Sequence, residues 1–113
     1  MKRKHLLFGE GFRVVIDGDS SQAAQMTLGP GESEGNSENR HRGADQWMFI
    51  VSGSGVAVID GRRIDLKPGT LVLIGRGQTH EIRNTGRSAL KTLNIYVPRA
   101  YTLAGGELPA GTP

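Results

Sequence analysis

The sequence predicts an all-β domain in which short antiparallel strands form a sandwich or a barrel. Three observations lead to this prediction. β-rich runs recur at intervals of roughly ten residues, glycine turns separate them, and no segment has the i, i+3, i+4, i+7 apolar spacing of a helix. The chain of 113 residues contains 17 glycines and 5 prolines, spread along its length. Because these residues favour turns, their distribution indicates many tight connections rather than one disordered tract.

The predicted strands follow one another almost without interruption. They are residues 12–16, 22–28, 46–51, 56–59, 63–66, 70–74, 80–84 and 89–97. Gly29-Pro30-Gly31 and Pro68-Gly69 are strong turn signals, and Asp60-Gly61 predicts a two-residue hairpin. Residues 31–39 are polar and glycine-rich, so we expect them to form the longest irregular segment.

Length and composition exclude several classes of protein. A chain of this length forms one domain, so we assign residues 1–113 to it, with a barrel over about 22–98, an arm or strand over 1–11 and a loose tail over 104–113. There is no cysteine, so a metal would need nitrogen and oxygen ligands. The modest net charge of +3, with scattered basic residues, argues against nucleic acid as a partner.

The sequence also argues against a membrane or secretory location. No apolar run is long enough to span a bilayer. The basic start, residues 1–8, lacks the apolar core of a signal peptide. We therefore expect a cytoplasmic protein.

Two blocks of sequence bring together polar side chains that could meet around one point. They read Asn39-x-His41-x4-Gln46-x6-Gly53 and Gly69-x5-Gly75-x4-His80-x3-Asn84. In each half a Pro-Gly turn, at Pro30-Gly31 or Pro68-Gly69, is followed about ten residues later by a histidine, and this weak duplication suits two similar halves folded against each other. Because side chains alternate between the faces of a strand, ligands on two strands of a barrel converge only from inward positions. The pattern therefore predicts a metal site inside a β-barrel.

These blocks resemble the two motifs of the cupin family, specifically of its small single-domain members. The second block matches the family pattern at every named position except Gly75, where the family usually has proline. The first block keeps the spacing, but Asn39 stands in place of a histidine and Gln46 in place of a glutamate. The resemblance covers roughly residues 22–98 and implies the cupin fold, a double-stranded β-helix or jelly-roll barrel.

The resemblance also implies a metal and a set of ligands. Family members with the full pattern hold a divalent transition metal (Zn, Fe, Mn, Ni or Cu) through three histidines and one glutamate. The corresponding set here is His41, His80, Gln46 and Asn39, in which neutral amides replace two stronger donors. An ion held in this way would keep its full charge, which favours an anionic ligand in its open positions. Asn39 suits equally a loop residue that makes only local hydrogen bonds.

Strand alternation identifies which neighbours share the face of the site. If Gln46 and His80 point inward, Met48 and Ile82 do so too. We expect these two residues and Tyr96 to contact the substrate. Tyr101 is a further source of a hydroxyl near the mouth of the barrel.

The remaining residues of the two blocks are interpreted as structural. Asn84 is expected to cap the turn that follows it. Trp47, Phe49 and Val51 share the face opposite to Gln46, which suits packing against a second sheet or a dimer partner. We therefore expect a homodimer.

Two functions from different classes fit this pattern. The first is a metal-dependent enzyme, of dioxygenase, isomerase or lyase type, that acts on a small oxygenated or anionic molecule by Lewis-acid or dioxygen chemistry. Proton abstraction by a side chain is less favoured because no inward acid or lysine can be named. Glu34 and Glu38, ahead of the site, are candidates for a missing carboxylate. The alternative is a non-enzymatic cupin with a metal-free site that binds or senses a small molecule, and a third possibility is a partner in a larger pathway complex.

Overall fold

Antiparallel strands form two sheets with the hydrophobic core between them. The computed structural model of the protein describes residues 1–40 and 43–102, with the backbone alone for 36–40. Its strands are β1 (Gly11–Asp17), β2 (Gln22–Leu28), β3 (Ser33–Arg40), β4 (Asp45–Ser52), β5 (Gly55–Ile59), β6 (Arg62–Leu66), β7 (Leu71–Ile74), β8 (Thr79–Asn84) and β9 (Leu90–Val97). One sheet has the order β1-β2-β9-β4-β7 and the other β3-β8-β5-β6. The all-β jelly-roll prediction is confirmed, and the described residues contain no helix that could cross a membrane.

The inward faces of both sheets supply the core. Burial in β4 alternates residue by residue, with Gln46, Met48 and Ile50 buried and the residues between them exposed. Met48 and Ile50 join one apolar cluster with residues of the opposite sheet, such as Ala57 and Ile82. Each large side chain in this cluster contributes about 1.5–3 kcal/mol through burial.

The expectation that residues 31–39 form an irregular segment is wrong. Residues Ser33–Arg40 form β3, which pairs with β8 from Ser33 to Asn36 before the register shifts. β3 lies at the edge of the four-stranded sheet, and Ser33 and Glu34 are exposed. An edge strand is held by its backbone hydrogen bonds and does not need an apolar face. The polar composition of β3 therefore gave no sign of a strand in the sequence.

The predicted hairpin at Asp60-Gly61 is present and fixes the start of β8. Asp60 has φ 47° and Gly61 φ 79°, as a two-residue turn with left-handed positions requires. Asp60 Oδ1 accepts hydrogen bonds from the backbone N–H of Thr79 at 2.8 Å and from Thr79 Oγ1 at 3.2 Å. The turn therefore anchors the residue directly before His80.

Asn84 holds one end of the barrel together. Its Nδ2 donates to the carbonyl oxygens of Leu28 and Ser88, both at 2.9 Å, and its Oδ1 accepts from the N–H of Gly86 at 2.9 Å. This matches the expected structural role as a cap. Since a strand rises about 3.3 Å per residue, His80 lies roughly 13 Å from Asn84 along β8, toward the opposite end.

Candidate functional site

Gln46 and His80 lie on opposite sheets at the same end of the barrel. Each is the second residue of its strand, and each is only 4% exposed. The backbone N–H of Arg76, in the turn that leads to β8, donates to Asp45 Oδ1 at 3.0 Å. Because this bond ties the residue before Gln46 to the connection before His80, both buried side chains belong to one end.

The turn before His80 uses the backbone N–H of Gly75. The N–H of Gly75 donates to Gln78 Oε1 at 2.7 Å, and Gln78 Nε2 donates to Asp60 Oδ2 at 3.2 Å. A proline has no N–H and would remove the first of these bonds.

A buried chain of hydrogen bonds orients the Gln46 amide. Gln46 Nε2 donates to Asn94 Oδ1 at 3.0 Å, and Asn94 Nδ2 donates to Thr92 Oγ1 at 3.0 Å. Thr92 Oγ1 lies 3.5 Å from the carbonyl oxygen of Met26, to which it donates. All three side chains are buried inside the five-stranded sheet. We call Gln46, Asn94 and Thr92 the interior amide chain.

The side-chain oxygen of Gln46 takes no part in the hydrogen bonds of the interior amide chain. Gln46 Oε1 is fully buried and has no hydrogen-bond partner among the described residues. A buried acceptor in this state costs about 1–3 kcal/mol. Such an atom is satisfied when a cation or a donor enters beside it. This oxygen is therefore suited to serve as a metal ligand or to accept a bond from a ligand.

Of the other predicted site residues, three are buried at or below the site, and two have side chains that are not described. Tyr96 is buried and lies opposite Gln46 in the β4–β9 ladder. Met48 and Ile82 lie one inward position deeper and are packed in the apolar cluster, so they form the floor behind the amide and the imidazole. His41 lies outside the described residues, as does the side chain of Asn39.

The candidates for an additional carboxylate gain no support. Glu34 is exposed on β3, and the side chain of Glu38 lies outside the described residues. Among the side chains that the structure describes, those of residues 1–35 and 43–102, no three His, Asp or Glu gather as a metal site. Of the predicted set, the side chains of Gln46 and His80 are described, and those of His41 and Asn39 are not.

Sequence reasoning missed Asn94 and Thr92. They alternate with Leu93 and Ile95 along β9 and share the inward face with Tyr96. The signal was available, because once Tyr96 is placed inward the period of two also places Thr92 and Asn94 there. Two polar residues on the buried face of a long strand indicate a polar interior.

A second buried glutamine flanks Tyr96 on the other side. Gln22 lies opposite Tyr96 in the β2–β9 ladder and is 2% exposed. Its Nε2 donates to Asp17 Oδ1 at 3.0 Å and to the carbonyl oxygen of Tyr101 at 2.7 Å. Its Oε1 accepts from the N–H groups of Ala100 at 3.2 Å and Tyr101 at 3.0 Å. Both ends of this amide are satisfied, so Gln22 fastens the segment that follows β9.

An ion pair supports the same segment. Arg99 donates two hydrogen bonds to Asp17, from Nε to Oδ1 at 2.6 Å and from Nη2 to Oδ2 at 2.8 Å. The hydrogen bond from Arg99 is the largest of the effects that lower the pKa of Asp17 below its ordinary value of 3.8, and burial opposes them. The Tyr101 ring completes the attachment by packing against Phe12 and Tyr96, with centroid distances of 4.8 and 5.1 Å.

Comparison with known proteins agrees with this architecture. An oxalate-binding protein of Thermotoga maritima is 32% identical over 74 residues, which are 66% of this chain and 60% of that protein. The tetracenomycin polyketide synthase protein TcmJ of Streptomyces glaucescens is 30% identical over 71 residues, 63% of this chain and 46% of that protein. The chain thus spans about half to three fifths of the length of these curated relatives.

Solved structures and a family model lead to the same assignment. A crystal structure of a Bacillus halodurans protein superimposes with a TM-score of 0.75 at 28% identity, covering 91% of this chain and 76% of that one. The model of the cupin domain matches residues 24–96, which run from the inward face of β2 to Tyr96 on β9. Since that match includes both strands that carry the buried glutamine and histidine, the chain belongs to the cupin family.

Proposed function

We propose that this chain binds a divalent transition metal at the end of the barrel marked by Gln46 and His80, and presents it to a small anionic ligand. The observation that carries the proposal is the buried, unsatisfied Oε1 of Gln46. His80 is buried beside the same end, and His41 and Asn39 would complete the set that the motif spacing implies. The ion would supply Lewis-acid chemistry or a position for dioxygen.

The chain's own residues define what else the ligand would meet. The polar residues buried among the described residues are amides, threonines and one histidine. Such a lining carries no charge that would balance a bound dication, and this favours an anion as the ligand that binds beside the metal. The oxalate-binding relative makes a small dicarboxylate the first ligand to test.

A binding or sensing module is the second candidate function. Two observations favour it: the relative from Thermotoga maritima is named for binding, and no carboxylate or lysine is among the buried residues that the structure describes. A bound anion would then be held and released unchanged. Turnover of oxalate or a related acid by the metal-loaded protein would decide for the enzyme.

Elemental analysis tests the metal. The protein is purified without added metal and after incubation with Mn, Fe, Ni, Cu or Zn salts, together with His41→Ala and His80→Ala. We expect stoichiometric metal in the parent protein and its loss in both variants. His5→Ala is the matched control, because His5 is the third histidine and lies exposed outside both blocks. A parent protein that takes up none of the five metals refutes the proposal.

The outward face of β4 and β7, together with the end of β9, supports the homodimer that we also propose. Six apolar side chains that are 39–59% exposed form this outer apolar face: Trp47, Phe49, Val51, Leu71, Leu73 and Val97. Trp47 lies opposite Leu73 and Phe49 opposite Leu71, so the patch is continuous across two strands. Continuous apolar patches on a surface mark interaction sites, and a two-fold axis would set this patch against its own copy.

Sedimentation at micromolar concentration tests the dimer. We expect a dimer for the parent protein and a monomer for the double variant Phe49→Lys with Leu71→Lys, because paired charges would be buried in the interface. Val58→Lys places the same charge on the other sheet and should leave the dimer intact. A monomeric parent protein contradicts the proposal.

A further inference from the structure

We propose that Asn94, supported by Thr92, is a positioning residue that turns the Gln46 amide so that its oxygen, and not its NH2 group, faces the ligand. This inference rests on the proposed metal site and assigns a task to two residues outside both sequence blocks. The two side chains are 1% and 0% exposed; Asn94 contacts the Gln46 amide directly, and Thr92 contacts Asn94.

The direction of the interior amide chain follows from what each group can donate. Asn94 Nδ2 donates to Thr92 Oγ1, so the hydroxyl hydrogen is left for the Met26 carbonyl, which can only accept. Because the NH2 group of Asn94 is used in this way, its Oδ1 is the atom that faces Gln46, and it accepts a hydrogen bond from Gln46 Nε2. The free end of the chain is therefore an acceptor, Gln46 Oε1.

The reversed chain would have the opposite selectivity. If Thr92 donated to Asn94 Oδ1, then Asn94 Nδ2 would face Gln46 Oε1, and Gln46 would present two N–H donors to the interior. Such a site repels a cation and attracts an anion directly. The backbone carbonyl of Met26 at the far end favours the observed direction, because it gives the Thr92 hydroxyl hydrogen an acceptor.

The chain also limits the rotation of a flexible side chain. An amide that must accept a metal without the charge of a carboxylate gains affinity if its oxygen is already oriented, because ordering it costs side-chain entropy. Outer partners that orient metal ligands typically change affinity by 10–100-fold when removed. We expect a loss in this range when Asn94 cannot accept from Gln46.

Two substitutions at one position separate orientation from packing. Asn94→Leu keeps the volume and removes the acceptor. Asn94→Asp keeps an oxygen opposite Gln46 Nε2 whether its carboxyl group is charged or protonated. Titration calorimetry with Mn²⁺ and Zn²⁺ should show about 10–100-fold weaker binding for Asn94→Leu. Asn94→Asp should bind at least as tightly as the parent protein. Thr92→Val, which breaks the chain one step further away, should show a smaller loss.

A second readout needs no metal. The side-chain NH2 signals of Gln46, identified by their absence in Gln46→Leu, should exchange slowly with solvent in the metal-free parent protein. They should exchange faster in Asn94→Leu and stay slow in Asn94→Asp. Asn84→Ala is the control for lost stability, because it breaks a buried amide at the other end of the barrel and should change neither the affinity nor this exchange.

The outcomes distinguish the two proposals. A parent protein that binds no metal overturns the proposed function, while the exchange measurement still tests the orientation of Gln46. If the parent protein binds metal and Asn94→Leu binds it equally well, the positioning role is wrong. Equal losses in Asn94→Leu and Asn94→Asp would also overturn it, because they would reflect packing alone.

Discussion

Two buried glutamines flank Tyr96, and they differ in how completely their amide groups are hydrogen-bonded. Gln22 is opposite Tyr96 on one side and Gln46 on the other, so both lie at the same level of the five-stranded sheet. Gln22 makes four hydrogen bonds and leaves neither end of its amide free. Among the described residues, Gln46 makes one, through its nitrogen, and its oxygen has no partner.

The difference teaches how to interpret a buried amide. Burial of a polar group is costly unless it is hydrogen-bonded, and Gln22 meets that requirement with the backbone of the segment it fastens. The oxygen of Gln46 does not meet it within the part of the chain that the structure describes. We propose that an amide which a hydrogen-bond chain orients but leaves open at its outer end is prepared for a ligand. The same substitution should then have different consequences in the two glutamines.

The largest expected effect is on stability. Gln22→Leu removes the partner of three backbone groups in Ala100 and Tyr101, and we expect the free energy of unfolding to fall by about 2–4 kcal/mol. Gln46→Leu removes one hydrogen bond and also one unsatisfied acceptor, so we expect a change within about 1 kcal/mol. Urea denaturation of the metal-free proteins checks this. Equal losses would mean that Gln46 is as structural as Gln22.

The second-largest expected effect is on the affinity of Gln46 variants for a divalent metal. Gln46→Glu restores the carboxylate of the family pattern, and we expect it to bind a divalent metal about 10-fold more tightly or better, equivalent to about 1.4 kcal/mol. The gain is limited because the carboxylate would face Asn94 Oδ1, so the Asn94 amide must turn over. Calorimetric titration measures it. Weaker binding in Gln46→Glu than in the parent protein would contradict a cation at this oxygen.

The smallest expected effect is on the pH dependence of stability, through the ion pair of Asp17, which also bonds to Gln22. The pKa of Asp17 is lower in the folded protein than its ordinary value, chiefly because Arg99 donates to it. The ion pair therefore adds stability above that ordinary value, and this stability is lost as the pH falls through the lower, folded pKa. We expect Asp17→Asn to be less stable than the parent protein at pH 7 and to lose less stability on acidification. Parallel unfolding measurements from pH 6 to pH 2 check this.

A control and a contradicting result accompany that prediction. Asp65→Asn removes an exposed aspartate on the other sheet and should leave the acid response of the parent protein intact. If Asp17→Asn lost stability on acidification as steeply as the parent protein, the ion pair would not hold the segment after β9.

The comparison also shows what could be predicted from the sequence. The recurring strands and glycine turns predicted an all-β sandwich or barrel, and the resemblance of the two blocks to the cupin motifs implied the jelly roll. With Gln46 and His80 taken as inward, strand alternation placed Trp47 and Phe49 on the opposite face. β3 was missed because an edge strand depends on backbone pairing that its polar side chains do not reveal. The different tasks of Gln22 and Gln46 depend on partners at distant positions in the chain, which no local pattern encodes.

One titration tests the central claim most directly. Metal-free parent protein, Gln46→Leu and Gln22→Leu are titrated with Zn²⁺ and Mn²⁺ at a temperature where all three are folded. The account predicts that Gln46→Leu loses more affinity than the 10–100-fold typical of an outer-sphere change, whereas Gln22→Leu binds like the parent protein. Unchanged binding in Gln46→Leu would show that the buried oxygen is not a ligand and would contradict the account.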